Sequence, residues 1–114
     1  MQAVLDANVF ISGLLSKKGA PGQILDAWLE GKFSLFISSQ IVAEIQRVLE
    51  YPRIRERIGP GEGGFLIKQL MVASKWVEGK LVLEVLNQDP SDNIYLACAV
   101  EAQADFLVHL GRNR

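Results

Sequence analysis

Short apolar segments alternate along this chain with longer segments whose apolar residues recur at helical spacing, and this alternation constrains the fold most strongly. Residues 3–5, 33–37, 81–86 and 106–110 have the length and composition of buried strands. Strands that alternate with helices form a parallel sheet covered on both faces, with right-handed crossovers. We therefore predict one domain over residues 1–114, with a three-layer α/β/α fold and a parallel sheet.

The first helices carry start and stop signals in the sequence. Residues 9–15 predict a short helix, and Pro21 suits the first turn of the next one, which Gly31 ends. Ser38 and Ser39 are candidate N-caps of a third helix, because a serine hydroxyl can accept a backbone N–H of the first turn. Pro52 is expected to stop that helix.

The second half of the chain has weaker signals. The glycine-rich residues 59–64 indicate a flexible break, followed by an amphipathic helix that runs to about Trp76. Asp89 and Pro90 are expected to open the last helix, which reaches about Ala104.

Composition and charge exclude several classes of protein. The net charge of −1 argues against a globally basic nucleic-acid binder, although a local basic strip would still serve a nuclease. The one cysteine, Cys98, cannot form an intramolecular disulfide and is interpreted as a buried structural thiol. The one histidine, His109, has no second His or Cys at ligand spacing, so a zinc site or a Ser–His–Asp triad is poorly supported.

The sequence contains no candidate for a membrane anchor. No apolar run approaches the roughly 20 residues that cross a bilayer. The N-terminal residues also lack the basic segment and long apolar segment of a signal peptide. We therefore expect a cytoplasmic protein.

Three acidic residues follow the first three predicted strands. Asp6 ends the first strand, Glu44 lies on the helix after the second, and Asp92 lies in the first turn of the last helix. Because the carboxyl ends of parallel strands meet at one edge of a sheet, these carboxylates are expected to lie close together. A hard cation such as Mg²⁺ or Mn²⁺ would relieve their mutual repulsion. The pattern favours a carboxylate metal site.

Each acid also has a simpler interpretation. Asp6 would serve as a turn residue that accepts backbone N–H groups, and Glu44 would pair with Arg47 on the same helix. Asp92 would be a helix-start acid favoured by the helix dipole, although it shares a face with apolar residues. Asp89 is better explained as the N-cap of that helix.

At these residues the sequence resembles the PIN-domain family, in particular the VapC-like toxins of toxin–antitoxin systems. The segment VLDANVFISGLL resembles the first family motif, with its aspartate at Asp6. SSQIVAEIQRVLEYP resembles the second, with its glutamate at Glu44, and DPSDNIYLACAVEAQADFLV resembles the third, with its aspartate at Asp92. The resemblance covers nearly the whole chain.

The resemblance implies a metal-dependent ribonuclease that acts as the toxin of a toxin–antitoxin pair. Asp6, Glu44 and Asp92 would be the catalytic residues and hold Mg²⁺ or Mn²⁺, which activates a water to attack an RNA phosphodiester. Asn8 and Ser12 would have supporting parts beside the metal. The expected partners are RNA, a cognate antitoxin and a second copy of the chain.

The C-terminal residues depart from the family pattern. The family continues after its fourth strand with Ser/Thr-Gly-Asp, which supplies a fourth acid, whereas Gly111 stands at that position here. Asp105 precedes the strand and does not match the missing ligand. The resemblance therefore predicts a PIN-like domain shortened at its C-terminus, with a weakened site. The alternative function is a catalytically weak or inactive domain that binds RNA or an antitoxin.

The one local basic cluster consists of Arg47, Arg53, Arg55 and Arg57. These arginines would contact RNA phosphates, or they would simply be a solvated helix end. A phosphate-receiver domain of flavodoxin-like topology is less favoured. Such a domain needs an acceptor Asp after strand three and a Lys after strand five, and neither is found.

Overall fold

The computed structural model describes residues 1–81 and 93–110. These residues form strands and helices in the order β1 (Gln2–Leu5), α1 (Ala7–Leu15), α2 (Ala20–Leu29), β2 (Ser34–Ile37), α3 (Ser39–Leu49), α4 (Pro52–Arg55), α5 (Pro60–Ala73), β3 (Lys75–Trp76), α6 (Asn93–Ala102) and β4 (Phe106–Val108). Every helix within the described ranges is too short or too polar to traverse a lipid bilayer.

The strands form a single parallel sheet in the order β3-β2-β1-β4. β1 is therefore a central strand, with Gln2 opposite Ser34 on one side and Leu5 opposite Val108 on the other. Helices flank this sheet and produce three α/β/α layers. The fold class predicted from the alternating pattern is confirmed.

The core lies between the central strands and the helices that cover them. β1 and β2 supply side chains that are almost completely buried, as expected for strands covered on both faces. The largest fully buried side chains are Phe10, Leu5, Leu35, Ile37, Ile41, Ile45, Leu70, Val4, Val9 and Cys98.

The boundaries of α2 agree with the signals in the sequence. Pro21 lies in the first turn, and the helix ends two residues before Gly31. Gly31 has a φ of +79°, a left-handed conformation that glycine adopts without the steric cost of a Cβ atom. Trp28 packs edge-on against Phe10, and its Nε1–H donates to the carbonyl of Ala73 at 3.3 Å. This contact links α2 to the end of α5.

The interpretation of residues 59–64 as a flexible break was wrong. Gly59 is extended, and α5 begins at the next residue with a proline in its first turn, a position where the missing N–H costs nothing. Leu66 and Leu70 on this helix are buried in the core. This burial compensates for the low helix propensity of glycine, because helices in proteins are stabilised mainly by packing.

The predicted end of this helix at about Trp76 was also wrong. Ser74 is extended, and Lys75 and Trp76 form β3, paired with Phe36 and Ile37 of β2. The apolar pattern of the helix thus continues in sequence into an edge strand. Only the pairing with β2 shows where the helix ends and the strand begins.

Other boundaries differ from expectation by one to three residues. The last helix ends at Ala102 rather than Ala104, and β4 ends at Val108 rather than at residue 110. The short helix α4 was not predicted, because Pro52 was interpreted only as a stop signal. Leu81 is outside regular structure, and the rest of the predicted strand 81–86 lies outside the described residues, as do Asp89 and Pro90.

Candidate metal centre

Asp6 lies directly after β1, at the carboxyl edge of the sheet, and its side chain is only 4% exposed. Its Oδ1 accepts the N–H of Val9 at 3.1 Å, so Asp6 is the N-cap of α1. Its own N–H donates to the carbonyl of Val108 at 3.2 Å. The backbone-binding role that the sequence suggested as an alternative therefore occupies one carboxylate oxygen and leaves the other for a different partner.

His109 is the partner of the second oxygen. Leu5 lies opposite Val108 in the parallel ladder, so the next residues of both strands, Asp6 and His109, emerge side by side. Nδ1 of His109 lies 2.6 Å from Oδ2 of Asp6, and the imidazole is 43% exposed. The sequence shows no second His or Cys at ligand spacing from His109, so it gave little support to a zinc site there. The register between the first and last strands was the signal that would have identified it.

Tyr95 of α6 also contacts the junction between β1 and α1, next to Asp6. Its buried hydroxyl oxygen accepts the N–H of Ala7 at 3.2 Å, which satisfies a donor of the first turn of α1. Sequence reasoning missed Tyr95 as well, because a tyrosine on an apolar helix face is ordinarily core. Asn93, two residues earlier, is the first described residue of α6, and Asp92 lies outside the described residues.

Ser38 occupies the matching position after β2. It is buried, and its Oγ accepts the N–H of Ile41 at 3.3 Å as the N-cap of α3. Beside it is a cavity of about 140 Å³, which Asn93, Cys98 and Glu101 of α6 also line. Burial, and to a smaller extent the charge of Glu101, raises the pKa of Cys98 to about 11. This thiol is neutral at physiological pH and fits the structural role predicted for it.

Glu44 lies on α3 with its side chain 22% exposed and forms an ion pair with Arg47. The hydrogen bond and charge of Glu44 raise the pKa of Arg47. The guanidinium of Arg47 also contacts the hydroxyl of Tyr51 and lies 5.4 Å from the centre of that ring. The i, i+3 pair that the sequence suggested is therefore formed, and a cation at Glu44 would have to compete with it.

The remaining predicted site residues are two residues of α1 and four arginines. Asn8 and Ser12 are partly buried on successive turns of α1, close in sequence to Asp6. The four arginines are exposed and divide between two surface grooves: Arg47 and Arg55 line one, between α3 and α5, and Arg53 and Arg57 line the other.

The donor atoms around Asp6 fit a divalent cation. A buried carboxylate oxygen and an imidazole nitrogen, both common metal donors, lie within hydrogen-bonding distance of each other at the carboxyl edge of the sheet. Within residues 1–81 and 93–110, no group of three or more His, Cys, Asp or Glu residues is arranged to hold a metal. In the described part of the chain, Asp6 and His109 thus bring two possible metal donors together.

A parallel α/β sheet with a buried aspartate at the carboxyl end of its central strand defines a class of ligand-binding α/β domains. Residues 2–110 match the PIN domain, and the chain belongs to the PIN-domain family. PIN domains are generally nucleases that act on RNA or DNA and use divalent metals.

One relative is an uncharacterized protein of Methanocaldococcus jannaschii, 39% identical over 59 residues. The matched segment is 52% of this chain and 38% of the relative, so the match spans well under half of that protein's length. No solved structure matches this chain significantly.

Proposed function

We propose that residues 1–114 form one PIN-like domain that cleaves RNA with the help of Mg²⁺ or Mn²⁺, and that it is the toxin of a toxin–antitoxin pair. Asp6, Glu44 and Asp92 would be the catalytic metal ligands, with Asn8 and Ser12 supporting them. The observation that carries the proposal is the carboxylate of Asp6, buried at the sheet edge with one oxygen left over from capping α1.

The residues of this chain would have separate roles in RNA cleavage. A divalent cation, when bound, lowers the pKa of a bound water and stabilises negative charge on the phosphodiester. Asp6 is held for this task by the N–H of Val9, which orients the carboxylate so that Oδ2 faces His109 at the edge of the sheet. The exposed arginines would bind phosphates flanking the scissile bond and position the RNA.

Incubation of the purified protein with single-stranded RNA, with Mg²⁺ or Mn²⁺ and with chelator, tests this function. We expect cleavage that requires metal and disappears in Asp6→Asn. The matched control is Asp105→Asn, because Asp105 also binds a β1 backbone N–H, that of Gln2 at 2.8 Å, but at the opposite edge of the sheet. Equal cleavage by the wild type and Asp6→Asn would reveal a contaminating nuclease and reject the proposal.

The toxin role has its own test in living cells. The resemblance to VapC-like toxins supports this role, together with an antitoxin partner and a homodimer. Induced expression of the chain alone is expected to arrest growth, and Asp6→Asn is expected to relieve the arrest. Normal growth at a level of protein that cleaves RNA in vitro would contradict the toxin role and leave the nuclease proposal standing.

The second candidate is a domain that binds RNA or an antitoxin without cutting. The observation that favours it is the engagement of Glu44 by Arg47, which removes a proposed ligand from the site. RNA that is retained by the protein in a binding assay, but remains intact with every metal tested, would support this candidate over the first.

A further inference from the structure

The contact between Asp6 and His109 assigns a metal-binding role to a residue outside the expected set of acids. We infer that His109 is a nitrogen ligand of the metal centre and that it shifts the preference of the site from Mg²⁺ towards late first-row cations such as Co²⁺, Ni²⁺ and Zn²⁺. This inference rests on the proposed function insofar as both place a cation on Asp6.

The geometry of the pair is close to that of two ligands on one metal. Nδ1 of His109 is 2.6 Å from Oδ2 of Asp6. Two donors that each lie about 2.1 Å from one cation, at an angle near 90°, are about 3 Å apart. The pair therefore has to open by only a few tenths of an ångström for a cation to replace the shared hydrogen.

The two residues differ in their freedom to make this adjustment. Asp6 is fixed, because its side chain is 4% exposed and Oδ1 accepts the N–H of Val9. His109 follows the last paired residue of β4, Val108, and its side chain is 43% exposed. The imidazole can thus swing slightly outward while its Nδ1 continues to face Oδ2.

The imidazole changes which metals the site would favour. Mg²⁺ is bound mainly by carboxylates, carbonyls and water, whereas imidazole suits Zn²⁺, Ni²⁺ and other transition metals. A site of carboxylates alone would keep Mg²⁺ competitive. A site with one carboxylate and one imidazole adjacent, as at Asp6 and His109, gains affinity chiefly for the late transition metals.

Calorimetric titration of the untagged protein with Co²⁺ and with Mg²⁺ tests the inference. His109→Ala is expected to weaken Co²⁺ binding by about 10- to 100-fold, in the range found when groups supporting a metal site are removed. The same variant should leave Mg²⁺ affinity within about twofold, and Asp105→Asn should change neither. The visible absorption of bound Co²⁺ should also change shape in His109→Ala, which is a readout independent of catalysis.

The wild-type protein offers a second measurement that does not depend on the folding of a variant. His109 is the one histidine of the sequence, so the imidazole signals in a nitrogen-detected NMR spectrum belong to it alone. Saturation with Zn²⁺ is expected to move the Nδ1 resonance to a metal-bound position. An imidazole spectrum that stays unchanged at saturation overturns the inference.

The outcomes separate the inference from the proposed function. If Asp6→Asn abolishes metal binding while His109→Ala leaves Co²⁺ affinity unchanged, the metal centre stands and the role of His109 is rejected. Tighter binding of both metals by His109→Ala would identify the imidazole as a competitor for Asp6 and also overturn the inference. Absence of binding by the wild type would reject both proposals.

Discussion

The junction between β1 and α1 and the junction between β2 and α3 are built on the same plan but differ in one residue. In each, a buried side chain directly after a parallel strand caps the following helix by accepting the N–H three residues later. The residue is Asp6 in the first junction and Ser38 in the second. Both side chains satisfy a helix donor that would otherwise be buried without a partner.

The difference lies in what remains after capping. The serine hydroxyl provides a single oxygen, whereas the aspartate carboxylate uses Oδ1 for the cap and directs Oδ2 at His109. Serine would cap α1 equally well without the cost of burying a charge. The carboxylate at the first junction is therefore more than capping requires, which is what a ligand-binding role explains.

The largest expected effect comes from making the first junction a copy of the second. Asp6→Ser keeps a capping oxygen, so the free energy of unfolding should stay within about 1 kcal/mol of wild type. RNA cleavage should fall by about 100-fold or more, because the oxygen that is proposed to bind the metal is lost. Urea denaturation and initial cleavage rates measure the two effects. Retained, metal-dependent cleavage would mean that Asp6 is a cap and nothing else.

Removal of the cap from the second junction should affect stability alone. Ser38→Ala is expected to lower the free energy of unfolding by about 1 kcal/mol, since the N–H of Ile41 loses its acceptor. The neighbouring Ser39 is exposed, so Ser39→Ala is the matched control and should be nearly neutral. Metal affinity should be unchanged in both variants. A loss of affinity in Ser38→Ala would place Ser38 in the metal centre.

A smaller effect is expected at Glu44, the proposed ligand from the second junction's helix. Arg47→Gln releases Glu44 from its ion pair and should raise Mn²⁺ affinity by about twofold, as expected for an exposed pair. Arg53→Gln removes the same charge from α4 and serves as the control. If both variants alter the Mn²⁺ affinity equally, the change comes from the overall electrostatic field of the protein, and Glu44 is not a ligand.

The effect that is smallest at neutral pH concerns Cys98, which lines the cavity beside Ser38, and it appears only at alkaline pH. Its pKa of about 11 lies above the ordinary value of 9.0, so the unfolded chain loses this proton first as the pH rises. Stability should therefore decline between about pH 9 and 11, and less so in Cys98→Ala. Urea denaturation at pH 7 and 10 measures this. A thiol reagent should react more slowly at pH 8 with the folded than with the unfolded protein, and equal rates would contradict burial.

Local patterns in the sequence were sufficient for the fold class and for most helices. The period of the apolar residues and the signals at Pro21, Gly31 and Ser38 identified elements that the structure confirms. The patterns failed for residues 59–64 and for β3, where local preference and tertiary packing disagree. Glycines are poor helix formers, yet the buried leucines of α5 hold those residues in a helix.

The candidate site was likewise predicted from the sequence only in part. Asp6 was predicted from its position after an apolar strand, because the end of a parallel strand is a local feature that the sequence displays. The role of Glu44 depended on the family resemblance and remains a prediction, as does that of Asp92, which lies outside the described residues. The ion pair between Glu44 and Arg47 was predicted from their helical spacing, and the structure contains it.

The amino-acid order alone thus determined the alternating α/β architecture and the aspartate at the end of β1, since both depend on residues within one helical turn or one strand. Only the tertiary structure decided what Asp6 faces. His109 lies about 100 positions from Asp6 in sequence, and Tyr95 lies 88 positions from Ala7. They reach this junction because β4 pairs with β1 and α6 packs beside it, and such register is a property of the assembled sheet.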